Sequence, residues 1–243
     1  MTVVGGTAAL AIWVDIDPDD DALFEHWHSR EHMQERVGCP GWLRGSRFRG
    51  VERPRAQSVR LESAERIVPV ETTSIRARIS DLTEPPARKS LSRYLLFYDA
   101  DSPAAFESDV YYARLRSPTA MSRTIFPRFR DTWRTVCSVE RRLGDGVAAA
   151  VLTVRLSAGE PAPFDALAAT RPARLDLLAG QAGIGQAHSA EKDLRGLRDR
   201  QIDRAVVAFF WSVEAARAAR DVHAPAGELF TLRHAVSRAD LPV

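Results

Sequence analysis

One order of elements, shown twice, constrains what this chain can fold into more than any other feature. "TAALAIWVDI" (7–16) is an apolar, β-branched run that predicts a buried strand. "DPDDDALFEHWHSREHMQERVGCPG" follows and predicts a helix. Asp17 caps it, Pro18 suits the first helical position, and Asp19 to Asp21 place negative charge where the helix dipole favours it. Gly38, Pro40 and Gly41 end it. "WLRGSRFRGV" and "RYLLFYDAD" read as strands, and Ser102 and Pro103 open a second helix, "PAAFESDVYYARLRS", with Phe106 and Val110 one turn apart. "FRDTWRTVCSVE" then sets Phe129, Trp133, Cys137 and Val139 on one face at strand period.

After "RRLGDG", whose Gly144 and Gly146 suit a junction, the order strand, helix, strand, strand, helix, strand returns. The elements are "VAAAVLTVRLS", "PFDALAATRPARLDLLAG" with a kink at Pro172, "GIGQAHSAEKD", "DRAVVAFFWSV", "EAARAARDVH" and "ELFTLRHAVSR". The repeat is one of architecture more than of letters. It predicts an α+β chain of two tandem ferredoxin-like β-α-β-β-α-β modules, 1–143 and 144–243. Neither module needs the stretch at about 53–92, whose "SVRL" and "TTSIRARI" among prolines predict an extra hairpin, a tolerated insertion or a lid.

Thirty-four basic residues stand against 32 acidic ones, so no strong field recruits nucleic acid or an anionic membrane. Lys89 and Lys192 are the two lysines, an arginine bias without an evident binding face. No run suits a signal peptide or a bilayer span, so the expectation is a cytoplasmic protein with a small-molecule substrate and a possible homodimer. Cys39 and Cys137 are too few for a disulfide scaffold and read as reduced thiols. Glycines precede the strand in "GGTAALA", and "GQAGIGQA" lacks a strand-then-helix setting, so neither is a dinucleotide loop.

Within the first helix, "HSREH" matches the H-x-x-E-H pattern of a zinc site. His28 and His32 would ligate and Glu31 would act as general base, but no third ligand is evident, and the expectation is no metal. At about 100° per residue, Leu23, Phe24 and Trp27 form an apolar arc beside His28, Glu31, His32 and Glu35. That polar cluster is either a hydrogen-bond network holding the helix, with Arg36, or a general base oriented by a carboxylate.

"DPDDDALFEHWHSREHMQERVGCPGWLRGSRFRG", "RYLLFYDAD" and "SPTAMSRTIFPRFRDTWRTV" resemble the dimeric α/β-barrel superfamily, in its bacterial E-H-x-x-E-R…P-G-W/F form. Trp27, Glu31, His32, Glu35, Arg36, Pro40, Gly41 and Arg47 carry the likeness, over roughly residues 7–140 apart from the insertion. The resemblance implies a barrel formed inside one duplicated chain, with pockets between sheet and helices. It also implies cofactor-free monooxygenases, isomerases, cyclases, lyases and some haem enzymes as functional classes, without selecting one.

The catalytic candidates are His28, His32, Glu31, Tyr94 and Tyr98, with the two tyrosines on one strand face as donors to a developing oxyanion. Trp27, Arg47, Glu35 and Trp42 are candidates for substrate contact, and Arg47 has an ion pair as its simpler role. The leading expectation is a cofactor-independent lyase, isomerase or cyclase using His/Glu acid–base chemistry on a small, mostly apolar, possibly aromatic substrate. The alternatives are an oxygen-using monooxygenase, with haem or a divalent metal as the alternative cofactor, and a non-enzymatic binding or assembly module. The second module's first predicted helix lacks a histidine and a carboxylate cluster, which puts the site in the first module and makes the second a scaffold or pocket wall.

Overall fold

The apolar runs become strands β1 (Ala8–Ile16), β2 (Trp42–Gly50), β3 (Tyr94–Ala100), β4 (Phe129–Gly144), β5 (Ala150–Leu156), β6 (Arg174–Gly180), β7 (Arg204–Phe210) and β8 (Glu228–Ser237). In the computed structural model, which describes residues 5–51, 92–185, 187–196 and 198–242, these strands close into an antiparallel barrel. Around it they run β1-β3-β2-β8-β5-β7-β6-β4. The first four stand in the order β4-β1-β3-β2 and the last four in the matching order β8-β5-β7-β6, joined at the seams β2–β8 and β4–β6. Most of the expected insertion lies outside the described residues.

Alternation along the strands sorts side chains between lumen and outer face. Trp13, Phe48, Phe97, Phe209 and Phe230 fill the lumen, with the Phe97 and Phe209 rings 5.7 Å apart, so it is a packed core and not a channel. Each such ring stabilises the barrel by roughly 1.5–3 kcal/mol through burial. Outside, β1 and β3 present Leu10, Leu96 and Tyr98 to a helical layer made of α1 (Asp21–Trp27), a π-helical turn at His28–His32, α2 (Met33–Val37), α3 (Asp109–Arg116) and α4 (Ala120–Ile125). On the other side α5 (Phe164–Ala169) and α7 (Val213–His223) cover Leu152, Leu175, Val206 and Phe210. Among the described residues no helix is long and apolar enough to cross a membrane.

Several sequence expectations need correction. "RLDLLAG" is strand β6 and not the end of a kinked helix: α5 stops at Ala169, and Arg171 turns the chain with φ +55° before Pro172. Among the described residues of "GIGQAHSAEKD", residues 183–185 form a turn and α6 (Ala190–Arg195) follows, its Ser189 cap accepting from the Lys192 N–H, and His188 is accordingly on no strand. Ser108 caps α3 and divides the second helix into a 3-10 turn and an α-helix, which buries Phe106 but leaves Val110 exposed. Phe129 and Trp133 do not share a face: Asp131 sits at φ +41°, and the β1–β4 register shifts opposite it. Phe129 joins the outer layer, while Trp133 packs against the lumen.

Candidate active site

The helix after β1 begins as read, with the Asp17 side chain accepting from the Asp19 N–H and Pro18 opening the first turn. It then widens. The Met33 N–H donates to the His28 carbonyl five residues back, so "HSREH" is a π-helical turn, a form rare enough to mark functional sites. Both histidines turn inward and are buried, their ring centroids 5.8 Å apart, while Glu31 turns to accept from the Thr119 and Ser122 hydroxyls of the neighbouring helix start. His28 Nε2 lies 2.9 Å from the Tyr98 hydroxyl, and His32 stacks on Trp27 with centroids 4.3 Å apart.

His32 lines a narrow cleft between the outer face of the sheet and the helical layer. Trp42, Tyr98, Tyr111, Phe126 and Phe129 supply aromatic walls, and Leu10, Ile12 and Leu96 the sheet floor. Gly45, paired with Tyr98 across the β2–β3 ladder, leaves room for that ring: a Cβ there would stand 2.9 Å from Tyr98 Cε1. Charge enters through Arg36, Arg134, Arg195 and Glu191, three cations against one carboxylate. Glu191 and Arg195 come from α6, in the connection between β6 and β7, so the second half of the chain closes a cavity built mainly by the first.

Arg36 is buried in an ion pair with Glu191, and its Nε donates to His32 Nε2 at 3.4 Å. A guanidinium can only donate, so the His32 lone pair faces Arg36 and the ring proton belongs on Nδ1. Burial first, then Arg36, His28 and Arg195, holds the His32 pKa well below 6.5, and burial, Arg47, His234 and Arg36 do the same for His28. Both rings are therefore neutral near pH 7. Burial raises the Tyr98 phenol, and it raises Glu191 against the pull of Arg36. Arg134 donates from Nη2 to the Tyr111 hydroxyl at 2.8 Å. Four lining side chains carry a buried polar atom with no partner: His32 Nδ1, Arg36 Nη1, Thr132 Oγ1 and Arg195 Nε. Buried polar groups are rarely left so.

Of the predicted residues the fold brings His32, Tyr98 and Trp42 to this cavity, with His28 directly behind Tyr98. Trp27 supports His32 and donates from Nε1 to Ser122 Oγ at 3.0 Å. Glu31 and Glu35 turn elsewhere, Glu35 toward Arg114 at 4.0 Å. Arg47 points the other way, donating from Nη1 to the Glu25 carbonyl at 3.0 Å and to Ser29 Oγ at 2.9 Å. Tyr94 donates to Asp21 and Glu25 at 2.9 and 3.0 Å in a network with Arg49 and Arg93, because its strand reaches the helix start there and not the cavity. Tyr94→Phe should accordingly lower stability by about 1–2 kcal/mol in a denaturant titration while leaving ligand binding in the cleft unchanged.

Neither imidazole offers a free Nε2, His28 meeting Tyr98 and His32 meeting Arg36. Among the described residues no three His, Cys, Asp or Glu side chains converge as a metal cluster. The imidazole atoms left without a partner are His28 Nδ1 and His32 Nδ1. Sequence reading missed Tyr111, Arg134, Glu191 and Arg195, which reach the site from α3, β4 and α6 only through tertiary packing.

No protein family and no curated protein matches this sequence. Solved structures do resemble the fold. One, described as an anthrone oxidase-like protein, superposes with a TM-score of 0.54 over 96% of this chain and 94% of its own, at 12% identity. Another, from Fusobacterium nucleatum and described as a candidate monooxygenase, has a TM-score of 0.48 over 96% and 95%, at 6% identity. At such identities the likeness concerns fold alone: a closed eight-stranded antiparallel barrel with helices outside it.

Proposed function

We propose that the cleft binds a small, flat, aromatic acid and ionises it without a cofactor, holding the resulting anion on the arginine side. The observation that carries this reading is a cleft with aromatic walls whose lining side chains include four with partnerless buried polar atoms, all four on donor groups and two of those cationic. Arg36 Nη1, His32 Nδ1–H and Thr132 Oγ1 supply preorganised donors in a site that excludes bulk water, where such donors stabilise developing charge most. Tyr98 hydrogen-bonded to His28 is the proton acceptor, because Glu191 is committed to Arg36 and the remaining charged groups are arginines. We read the chain behind this site as two tandem β-α-β-β-α-β halves, 1–143 and 144–243, a reading supported by their matching strand orders.

Ionisation is the step shared by a proton-transfer lyase, isomerase or cyclase and by an enzyme whose substrate anion reacts with dioxygen. The oxygen-using reading draws its support from the description of one fold neighbour as anthrone oxidase-like. Anthrone itself is the probe, since its conjugate base absorbs at longer wavelength than the neutral ketone. The protein should raise the anion fraction at a pH where free anthrone is neutral, and Trp42→Ala should weaken binding roughly tenfold through loss of one buried aromatic wall. Oxygen uptake in the same mixture selects the oxygen-using reading, and its absence selects proton transfer alone. Anthrone bound but not ionised would leave a binding module, and no binding would sink the proposal.

A further inference from the structure

The cavity's proton acceptor has no direct outlet among the described lining residues. Arg36, Arg134 and Arg195 are permanent cations, Glu191 is paired with Arg36, and the His32 lone pair faces the same guanidinium. His28 differs. Its Nε2 meets the Tyr98 hydroxyl at 2.9 Å, and its Nδ1 is buried without a partner. On the far side of the helix an open cleft of about 780 Å³, solvent at its mouth included, is lined by Glu25, Ser29, Arg47 and His234 among others. Arg47 fixes that cleft to the His28 turn, donating to the Glu25 carbonyl and to Ser29 Oγ on either side of it in sequence. Arg47 faces His234 across the β2–β8 ladder, and His234 Nε2 is itself buried without a partner.

We infer that His28 is the relay through which a proton accepted in the cavity by Tyr98 leaves for the outer cleft beside His234. The inference rests on the proposed ionisation. The substrate's acidic hydrogen goes to Tyr98 Oη as the Tyr98 proton passes to His28 Nε2. No hydrogen bond joins His28 Nδ1 to His234 Nε2, so the proton on His28 Nδ1 passes through water to His234 Nε2, and His234 releases one to solvent. One proton enters at Tyr98 and one leaves, so His28 ends neutral in the opposite tautomer, and the reverse shifts reset it when the product takes back a proton from Tyr98. Arg47 and Arg36 beside His28 disfavour an imidazolium that lingers, which suits a carrier over a store. His28 and His234 are positioning residues here, since Tyr98 alone touches the substrate.

Two measurements test the relay separately from the ionisation. Histidine ¹⁵N NMR of the ligand-free protein should show His28 protonated on Nδ1 and bare on Nε2; the opposite tautomer would overturn the relay whether or not anthrone binds. In stopped flow with anthrone, His28→Gln should slow anion formation about a hundredfold with the dissociation constant unchanged within about twofold, the usual scale for losing general base assistance. His234→Phe, at a half-buried strand position, should slow it roughly tenfold, and added imidazole should restore the rate. Normal rates in both variants would overturn the relay while the ionisation stands. Loss of anion formation in Glu191→Gln, with His28→Gln unaffected, would move the base to Glu191 and overturn it equally. Absence of anthrone ionisation by the parent protein would remove the proposed function and the relay with it, a result that the parent measurement alone reports.

Discussion

Asp99→Ala is expected to destabilise the barrel by about 3–5 kcal/mol, because it leaves the buried Arg174 and Arg142 sharing the single carboxylate of Asp176. Asp99 projects from β3 into one end of the lumen, where Arg174 from β6 reaches it in a bidentate pair at 2.5 and 3.0 Å. Arg174 also donates to Asp176, which Arg142 of β4 grips at 2.7 and 3.0 Å, and Arg44 of β2 donates to Asp99 at 3.2 Å. Arg174 lies over the Phe209 ring at 4.7 Å. The network thus ties both halves of the chain together through the lumen. For a chain of this length the loss corresponds to a melting temperature lower by roughly 6–20 °C. Burial opposes ionisation of Asp99, but Arg174, Arg44 and Arg142 outweigh it and hold the pKa below 3.8. The sign follows: the stabilisation is complete above the ordinary aspartate value and is lost as the pH falls through the depressed one. Thermal melts of parent and variant should therefore converge toward acid pH. A melting point within about 2 °C of the parent at neutral pH would show that the network carries little of the stability.

The strands that could be read in the sequence are those whose apolar and β-branched runs are bounded by breakers, such as "TAALAIWVDI" and "DRAVVAFFWSV". Strand β6 was hidden for a physical reason. "RLDLLAG" is buried over its first five residues and shows no clean two-residue alternation, and it follows "FDALAA" closely enough to continue a helical period. The inward turn of His28 and His32 was legible, but the departure of Glu31 was not, since the face assignment assumed a regular α-helix and the π turn changes the angle between neighbours. At Tyr94 and Tyr98 the alternation was right, yet one phenol meets carboxylates at the helix start and the other meets His28 in the wall of the cleft. Period places a side chain on a face without saying what covers it. Glu191 and Arg195 illustrate the limit most clearly: they sit in a short polar helix, far along the chain from Arg36, and only barrel closure carries them to it.

Arg36→Met should abolish most of the ionising power of the cleft, lowering the rate of anthrone anion formation by about 100- to 1000-fold, as removal of one preorganised donor to a developing oxyanion does elsewhere. Arg36 has three tasks that its geometry separates: Nε orders His32, Nη2 neutralises Glu191, and Nη1 is left buried and unpartnered. The single variant removes all three and leaves the buried Glu191 without its hydrogen-bonded partner, with only the more distant Arg195 and Arg134 to offset it, so it should also cost about 3 kcal/mol of stability. That loss alone would confuse an activity assay. Pairing the substitution with Glu191→Leu resolves it, because replacing both members of a buried ion pair with apolar groups is often close to neutral. The double variant should regain most of the stability and none of the ionisation. If instead it recovers anion formation together with its melting temperature, Arg36 acts only by holding the fold, and the anion is stabilised elsewhere. If the double variant stays inactive while it binds anthrone as the neutral ketone, the unpartnered Nη1 is the donor that the anion needs.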